Sequence, residues 1–379
     1  MSIIIGADCV PTGNNEDKFI SGKIDEILSS NVVEVLQKAD FRLVNLEMPL
    51  TGLNNKISKC GPALKASPLA INGYLNMRIN AVTLANNHIM DYGSDGIRET
   101  IDVLNANGIE YLGVGSCKKD ARKPLYKVIN GKTICFYACV EHEFSSAGEN
   151  KWGANTFDGY DTYSDIYSAC KDSDYTIVLY HGGKEEYRFP SPELQTRCKN
   201  MIDCGADLIL CQHSHCIGCY EIYKNKKIVY GQGNFIFDLC DDEYWNSGML
   251  VQINDDFTVD LLPFIKKNNM ITLAEGEEKT ELLALLDNRN QLLAETSEIS
   301  KQFIKLSSEQ IYSYMYKISG VDRSLMFRIL NKVSGYRFGR FYIKKRYSKQ
   351  DMLNLLNYIE CESHREIVIT GLKSLIEEA

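Results

Sequence analysis

Asn80-Ala-Val-Thr-Leu-Ala-Asn-Asn-His88 and Ala206-Asp-Leu-Ile-Leu-Cys-Gln-His-Ser-His215 share one plan. Each opens on a short apolar run, of a length that suits a buried strand rather than a helix, and each ends on imidazole. Three further stretches repeat it. Ile3–Ala7 ends at Asp8, Phe41-Arg-Leu-Val-Asn-Leu-Glu47 ends on a carboxylate, and Tyr175-Thr-Ile-Val-Leu-Tyr180 ends at His181-Gly-Gly183. Helical spacing separates them, over Ile24–Ala39, through Ile97, Ile101 and Leu104, and over Leu194–Cys204. Strands alternating with helices predict a layered α/β fold. In such sheets ligands gather beyond the carboxyl ends of the strands, where these polar groups fall. Of only six histidines, His88, His181, His213 and His215 belong to the set, and His142 and His364 do not.

Asn130-Gly131 predicts a hairpin within Val128–Val140, and Asn225 a second one between Tyr220–Tyr223 and Lys227–Tyr230. Met249–Ile253 and Val259–Leu262 read as further strands. From about residue 270 the pattern becomes helical through Leu282, Leu292, Phe303, Ile311, Met315, Leu355 and Leu372. The expected division is therefore a domain of residues 1–268 and a helical extension of residues 269–379.

The chain has 379 residues and a formal net charge of -8, which argues against a general or specific nucleic-acid binder. Its 13 cysteines are odd in number and scattered, as expected of small buried hydrophobes in a reducing compartment. Cys216-Ile-Gly-Cys219 has the C-x-x-C spacing, but no second ligand pair accompanies it for a structural zinc. The chain opens on Ile3-Ile4-Ile5 without a leader pattern, and no apolar run reaches membrane-spanning length. A cytoplasmic protein, at most peripheral to a membrane, is the expectation.

Imidazole with carboxylate suits borderline divalent metals such as Mn, Fe or Zn. Two such ions roughly 3.5–4 Å apart can share a carboxylate, activate water and clamp a phosphoryl group. A further imidazole can protonate the leaving oxygen.

The runs Val44-Asn-Leu-Glu47 and Leu84-Ala-Asn-Asn-His88-Ile-Met-Asp91-Tyr-Gly93-Ser-Asp-Gly96 resemble the bacterial CapA-type poly-gamma-glutamate capsule-biosynthesis family. So do His181-Gly-Gly-Lys-Glu-Glu-Tyr187, the 204–215 run and Tyr230-Gly-Gln-Gly-Asn234-Phe-Ile-Phe-Asp238. The resemblance spans about residues 3–240 in order. It implies a relative of the calcineurin-like metallophosphatases, a four-layer α/β/β/α sandwich. It implies Asp8 and His215 around a first metal, Asn87, His181 and His213 around a second, and Glu47 in the bridging place. His88 would be the general acid or phosphate binder, with Asn45, Glu185 and Asn234 in support. Asp91, Gly93 and Gly96 read as a helix-entry turn. The pattern departs at Asp8-Cys-Val10, where metallophosphatases usually carry Asp-x-His, and at Glu47, where they usually carry Asp.

Two functions follow from the resemblance. One is a metal-dependent hydrolase of a phosphoester or an amide-linked polymer in capsule biosynthesis. The other is a non-catalytic assembly factor that binds an anionic polymer or a synthase partner. Outside the resemblance, Arg323–Lys349 is basic and aromatic with no acidic residue. It reads as a solvated helix face or as a contact for a membrane surface, an anionic polymer or a partner protein.

Overall fold

The computed structural model of the chain describes residues 2–237, 242–267, 270–294 and 296–377. In chain order the first strands are β1 (Ile3–Asp8), β2 (Phe41–Asn45), β3 (Ala81–Thr83), β4 (Glu110–Leu112) and β5 (Val114–Gly115). Then come β6 (Leu125–Ile129), β7 (Lys132–Val140), β8 (Gly153–Ala154), β9 (Tyr175–His181) and β10 (Leu208–Gln212). The last are β11 (Tyr220–Tyr223), β12 (Lys226–Val229), β13 (Ser247–Ile253), β14 (Val259–Lys267) and β15 (Met270–Leu273). They build a seven-stranded sheet, β15-β14-β13-β1-β2-β3-β4, and a six-stranded sheet, β11-β12-β10-β9-β7-β6. β1 to β4 run parallel, as do β7, β9, β10 and β12.

Alternation along the second sheet explains the layering, because successive strand residues face opposite ways. Ile134, Phe136, Ala138, Ile177, Leu179, Leu208 and Leu210 share one core with Ile3, Ile5 and Leu43 of the first sheet. Their neighbours Tyr137, Cys139, Val178, Tyr180, Ile209 and Cys211 belong to a second core on the other face. Helices α1 (Glu16–Ser21), α2 (Ser30–Lys38), α3 (Ile71–Asn76) and α4 (Gly93–Ala106) cover the first sheet through Phe19, Val32, Leu36, Tyr74, Ile97 and Leu104. After the short α5 (Lys118–Ala121), α6 (Gly159–Ala169) and α7 (Pro192–Asp203) cover the second through Ile166, Leu194, Cys198 and Met201. The result is the expected α/β/β/α sandwich.

The structure differs from the sequence reading in three places. The helix expected over Ile24–Ala39 is a single 3-10 turn, Ile24–Glu26, followed by α2, because Ser29 N–H is taken by Ile271 O beside the sheet edge. Met270–Leu273, expected to be helical, is the edge strand β15, and α8 (Gly276–Ala294) follows it. Helix α6 carried no apolar periodicity in the sequence; Asp158 starts it by accepting from the N–H groups of Tyr160 and Asp161.

The chain forms two compact units, residues 1–300 and 301–379. The expected boundary at 268/269 falls outside the described residues. Helix α8 packs within the first unit: Leu286 and Leu293 are buried there, and Arg289 Nε donates to Gly218 O at 2.7 Å. α9 (Thr296–Ile318) leads into the second unit, which holds α10 (Leu325–Val333), α11 (Arg337–Arg346), α12 (Lys349–Glu360) and α13 (Glu362–Glu377). Its small core contains Met315, Tyr316 and Ile343.

Candidate metal centre

The carboxyl ends of the parallel strands bring the polar groups of both sheets to one place. Asp8 ends β1, Glu47 follows β2 and Asn87 follows β3 from the first sheet; His181 ends β9, and His213 and His215 follow β10 from the second. Asp8, Glu47, Asn87, His181, His213 and His215 are all buried, none more than 9% exposed. Ligand atoms of Glu47, His181 and His213 lie within 4.8 Å of one another, and so do those of Asp8, Glu47 and His215. Glu47 therefore belongs to both groups.

The contacts are specific. His181 Nε2 lies 3.2 Å from Glu47 Oε1 and 3.0 Å from Asn87 Oδ1. His215 Nδ1 lies 3.4 Å from Asp8 Oδ2 and 2.8 Å from Asn234 Oδ1. Asn45 Nδ2 donates to Asp8 Oδ1 at 2.8 Å and lies 3.2 Å from His181 Nδ1, while Asn86 Nδ2 donates to Asn45 Oδ1 at 3.1 Å. Asn45 is thus a relay between the two sheets. Exposed Glu185 reaches the same rim, its carboxylate within 4.8 Å of ring nitrogens of His213 and His215.

The backbone at the two histidines is unusual. His213 and His215 have φ values of 84° and 57°, the left-handed region that non-glycine residues rarely enter. Each such residue costs of order 1–3 kcal/mol, and such residues cluster at functional sites.

Electrostatics separate the three imidazoles. Burial lowers all three, but for His215 the hydrogen bond to Asp8 and the charge of Glu47 reverse the effect and push it up to about 9. His181 is also raised against its burial, by the charge and hydrogen bond of Glu47. His213 is held well below the usual range by burial and then by the neighbouring His181 and His215. Asp8 is held far below the usual carboxylate range, because His215 and His181 outweigh its burial.

Burial makes unpaired polar atoms costly, so each one calls for a reason. Among the described residues, Glu47 Oε2 and His213 Nδ1 are buried without a hydrogen-bond partner, and Asp8 Oδ2 and Glu47 Oε1 meet only the rings of His215 and His181. Their residues form the Glu47–His181–His213 and Asp8–Glu47–His215 groups, oxygen and imidazole donor sets of the kind that a borderline divalent cation takes. The residues present fit a metal ion. Val10 is fully buried in the core and offers no ligand.

His88 lies beside the cluster in a setting that the sequence did not announce. Its Nδ1 donates to Asp91 Oδ2 at 2.6 Å, and its backbone N–H donates to Asn86 Oδ1 at 3.1 Å. Asp91 is fully buried, where the sequence suggested only a turn. Asp91 Oδ1 is paired with Lys59, whose side chain is 5% exposed and whose Nζ lies 3.2 Å from His88 Nδ1. Lys59 arrives on the 51–66 loop, whose ends meet at the Leu50–Ala66 bridge. Ile57 N–H donates to Asp91 O at 2.9 Å and Leu64 N–H to Asp91 Oδ2 at 2.7 Å. The spacing of His88 and Asp91 could have signalled their pairing; for Lys59, 29 positions upstream in an irregular segment, no signal exists.

Elsewhere the cysteines are free among the described residues, including buried Cys216 and Cys219.

Fold and site together define an α/β/β/α sandwich with candidate metal-ligand groups at its facing strand ends. The chain belongs to the bacterial capsule synthesis protein family PGA_cap, whose family model matches residues 6–239. It is 27% identical over 308 residues to the capsule biosynthesis protein CapA of Bacillus anthracis, covering 76% of this chain and 73% of that protein. It is 28% identical over 230 residues to the PGA biosynthesis protein CapA of Bacillus subtilis (strain 168), covering 60% of each. Among solved structures, a phosphatase from Mycoplasma pneumoniae aligns with a TM-score of 0.43 at 14% identity, over 70% of this chain and 93% of that one.

Proposed function

We propose that this capsule-synthesis family member is a metal-dependent hydrolase, cleaving a phosphoester or an amide-linked anionic polymer with activated water. The observation that carries the reading is the buried group of Asp8, Glu47 and His213 donor atoms between the two sheets, which have no hydrogen-bond partner beyond the rings of His181 and His215. Asn87, His181 and His213 would hold one divalent ion, Asp8 and His215 the other, with Glu47 between them. When bound, Mn, Fe or Zn ions supply Lewis-acid activation of water and of the scissile group.

The chain's own residues supply the rest. Asp91 occupies Nδ1 of His88, which leaves Nε2 to hold or deliver a proton at the leaving group. Lys59 pairs with Asp91 and lies 3.2 Å from Nδ1, which holds the His88–Asp91 pair in place. Asn45 orients Asp8 and His181, and Asn234 orients His215. Glu185 sits at the rim, where it can meet a cationic group of the substrate.

One observation favours a second reading, a non-catalytic assembly factor that binds an anionic polymer. Val10 is fully buried where metallophosphatases usually carry a second imidazole, so the Asp8 site has fewer ligands than the His181 site. Metal analysis of the purified protein, with manganese-dependent hydrolysis of a chromogenic phosphodiester and of poly-gamma-glutamate, separates the two. The hydrolase reading expects activity that falls in His88→Ala and His213→Ala. Activity indifferent to both substitutions, or metal-replete protein without activity on either substrate, favours the assembly factor.

A further inference from the structure

The second compact unit carries a surface that the proposed chemistry does not use. With about 3.6 residues per turn, Leu325, Ile329, Val333, Met326 and Leu330 of α10 fall on one arc of about 140°. All five are exposed, from 43% at Leu330 to 82% at Val333. The opposite side of α10 is already engaged. Phe327 packs on Phe338 and Tyr342 at centroid distances of 5.4 and 5.7 Å, and Asn331 Oδ1 accepts from Gly339 N–H at 2.8 Å. The apolar stripe is therefore not spent on holding α10 to α11.

Beside the stripe lies uncompensated positive charge. Residues 323–349 contain nine lysines and arginines and no acidic residue. All nine are exposed, and none makes an ion pair among the described residues. Arg328 and Lys332 line one edge of the stripe, while Arg340 and Lys344 of α11 lie over the Tyr312 ring of α9.

We propose that the exposed face of α10, with Arg328 and Lys332 along its edge, docks onto an anionic phospholipid bilayer. The α10 stripe would enter the acyl boundary, and the basic side chains would meet the headgroups. A helix with a wide apolar arc flanked by Lys and Arg lies in the membrane interface rather than across it. No helix among the described residues is long and apolar enough to cross. Two other occupants fit less well. A second copy of the same face would set Arg328 and Lys332 against the same two cations. A soluble polycarboxylate would match the charges and leave the five apolar side chains in water. The inference is independent of the metal centre, because it uses residues of the second unit alone.

Flotation of the full-length protein with vesicles tests it. Binding is expected to vesicles of phosphatidylcholine mixed with phosphatidylglycerol, to weaken with added salt, and to be absent with phosphatidylcholine alone. Each basic residue near the surface is worth about fivefold in partitioning, so Arg328→Gln with Lys332→Gln should lower binding by roughly 25-fold. Ile329→Gln with Val333→Gln should lower it by tenfold or more while the helical circular dichroism is retained. Leu325→Gln, at the first position of α10, is the milder control should the double variant lose helix. Three results would overturn the proposal. One is wild-type protein that fails to float with anionic vesicles. Another is an apolar-stripe variant that binds as wild type while poly-gamma-glutamate competes, which assigns the face to a polymer. The third is a concentration-dependent dimer dissolved by the Ile329 and Val333 substitutions, which assigns it to a second copy.

Discussion

Asp91 Oδ2 lies 2.6 Å from His88 Nδ1, and the same buried carboxylate is held by Lys59 on its other oxygen. One side chain thereby fixes the ring orientation of the proposed general acid and anchors the 51–66 loop. Asp91→Asn keeps the shape but can present an amide N–H to Nδ1 and so favour the wrong tautomer. The expected outcome is a fall in kcat of about 10²–10⁴-fold with little change in KM. His88→Ala should fall as far, and the double variant little further, because the two act as a unit. Steady-state kinetics on the phosphodiester substrate checks this; multiplicative losses in the double variant would contradict it.

Glu47 puts a buried carboxylate between the sheets, with Oε1 3.2 Å from His181 Nε2 and Oε2 without a hydrogen-bond partner. Removing its charge relieves a desolvation penalty in the metal-free protein while removing a shared ligand. Glu47→Gln also loses the attraction of that charge to His181 and His215, so the two effects oppose and the apo-protein should change by no more than about 1–2 kcal/mol. Wild-type protein should gain stability on adding manganese, by mass action, and the variant should not. Thermal melts with and without metal, after chelation, read both effects.

Asn45 donates to Asp8, accepts from Asn86 and touches His181. Asn45→Leu leaves those partners unpaired in the core. A loss of about 2–4 kcal/mol is expected from unsatisfied buried groups. Urea denaturation should show a lower midpoint with an unchanged slope.

Gly113 tests the contact between the two sheets, next to Ala85 just beyond β3. Its φ is +82°, and a Cβ there would lie 2.6 Å from Ala85 Cβ and 3.1 Å from Ala138 Cβ, the latter on the second sheet. Gly113→Ala should cost about 2–4 kcal/mol through overpacking and backbone strain. It should lower Tm while leaving metal stoichiometry intact in the folded fraction.

The layered fold was legible because a buried parallel strand announces itself as an apolar run that ends on polar residues, as at Ile3–Asp8 and Ala206–His215. The gathering of Asp8, Glu47, Asn87, His181, His213 and His215 was legible from the same strand ends. What stayed hidden depends on tertiary contact. Lys59 lies in a loop without periodicity, and only its docking on Asp91 gives it meaning. Helix α6 is polar on most of its surface, and its start rests on one capping aspartate. Strand β15 lies next to a helical run, and pairing with β14 rather than local pattern makes it a strand.

The division of the site between two sheets has a consequence for folding. Asp8, Glu47 and Asn87 stand on one sheet, and His181, His213 and His215 on the other, so no half of the chain owns the donor set. An ion held there would act as a late rivet, tying Asp8 to His215 across about 200 residues of chain, a closure too improbable to form before the sheets meet. Metal capture and docking of the sheets would then be a single event. Stripping the ion should loosen the seam first, with amide exchange quickening at the carboxyl ends of β1, β9 and β10 while the strand centres stay protected.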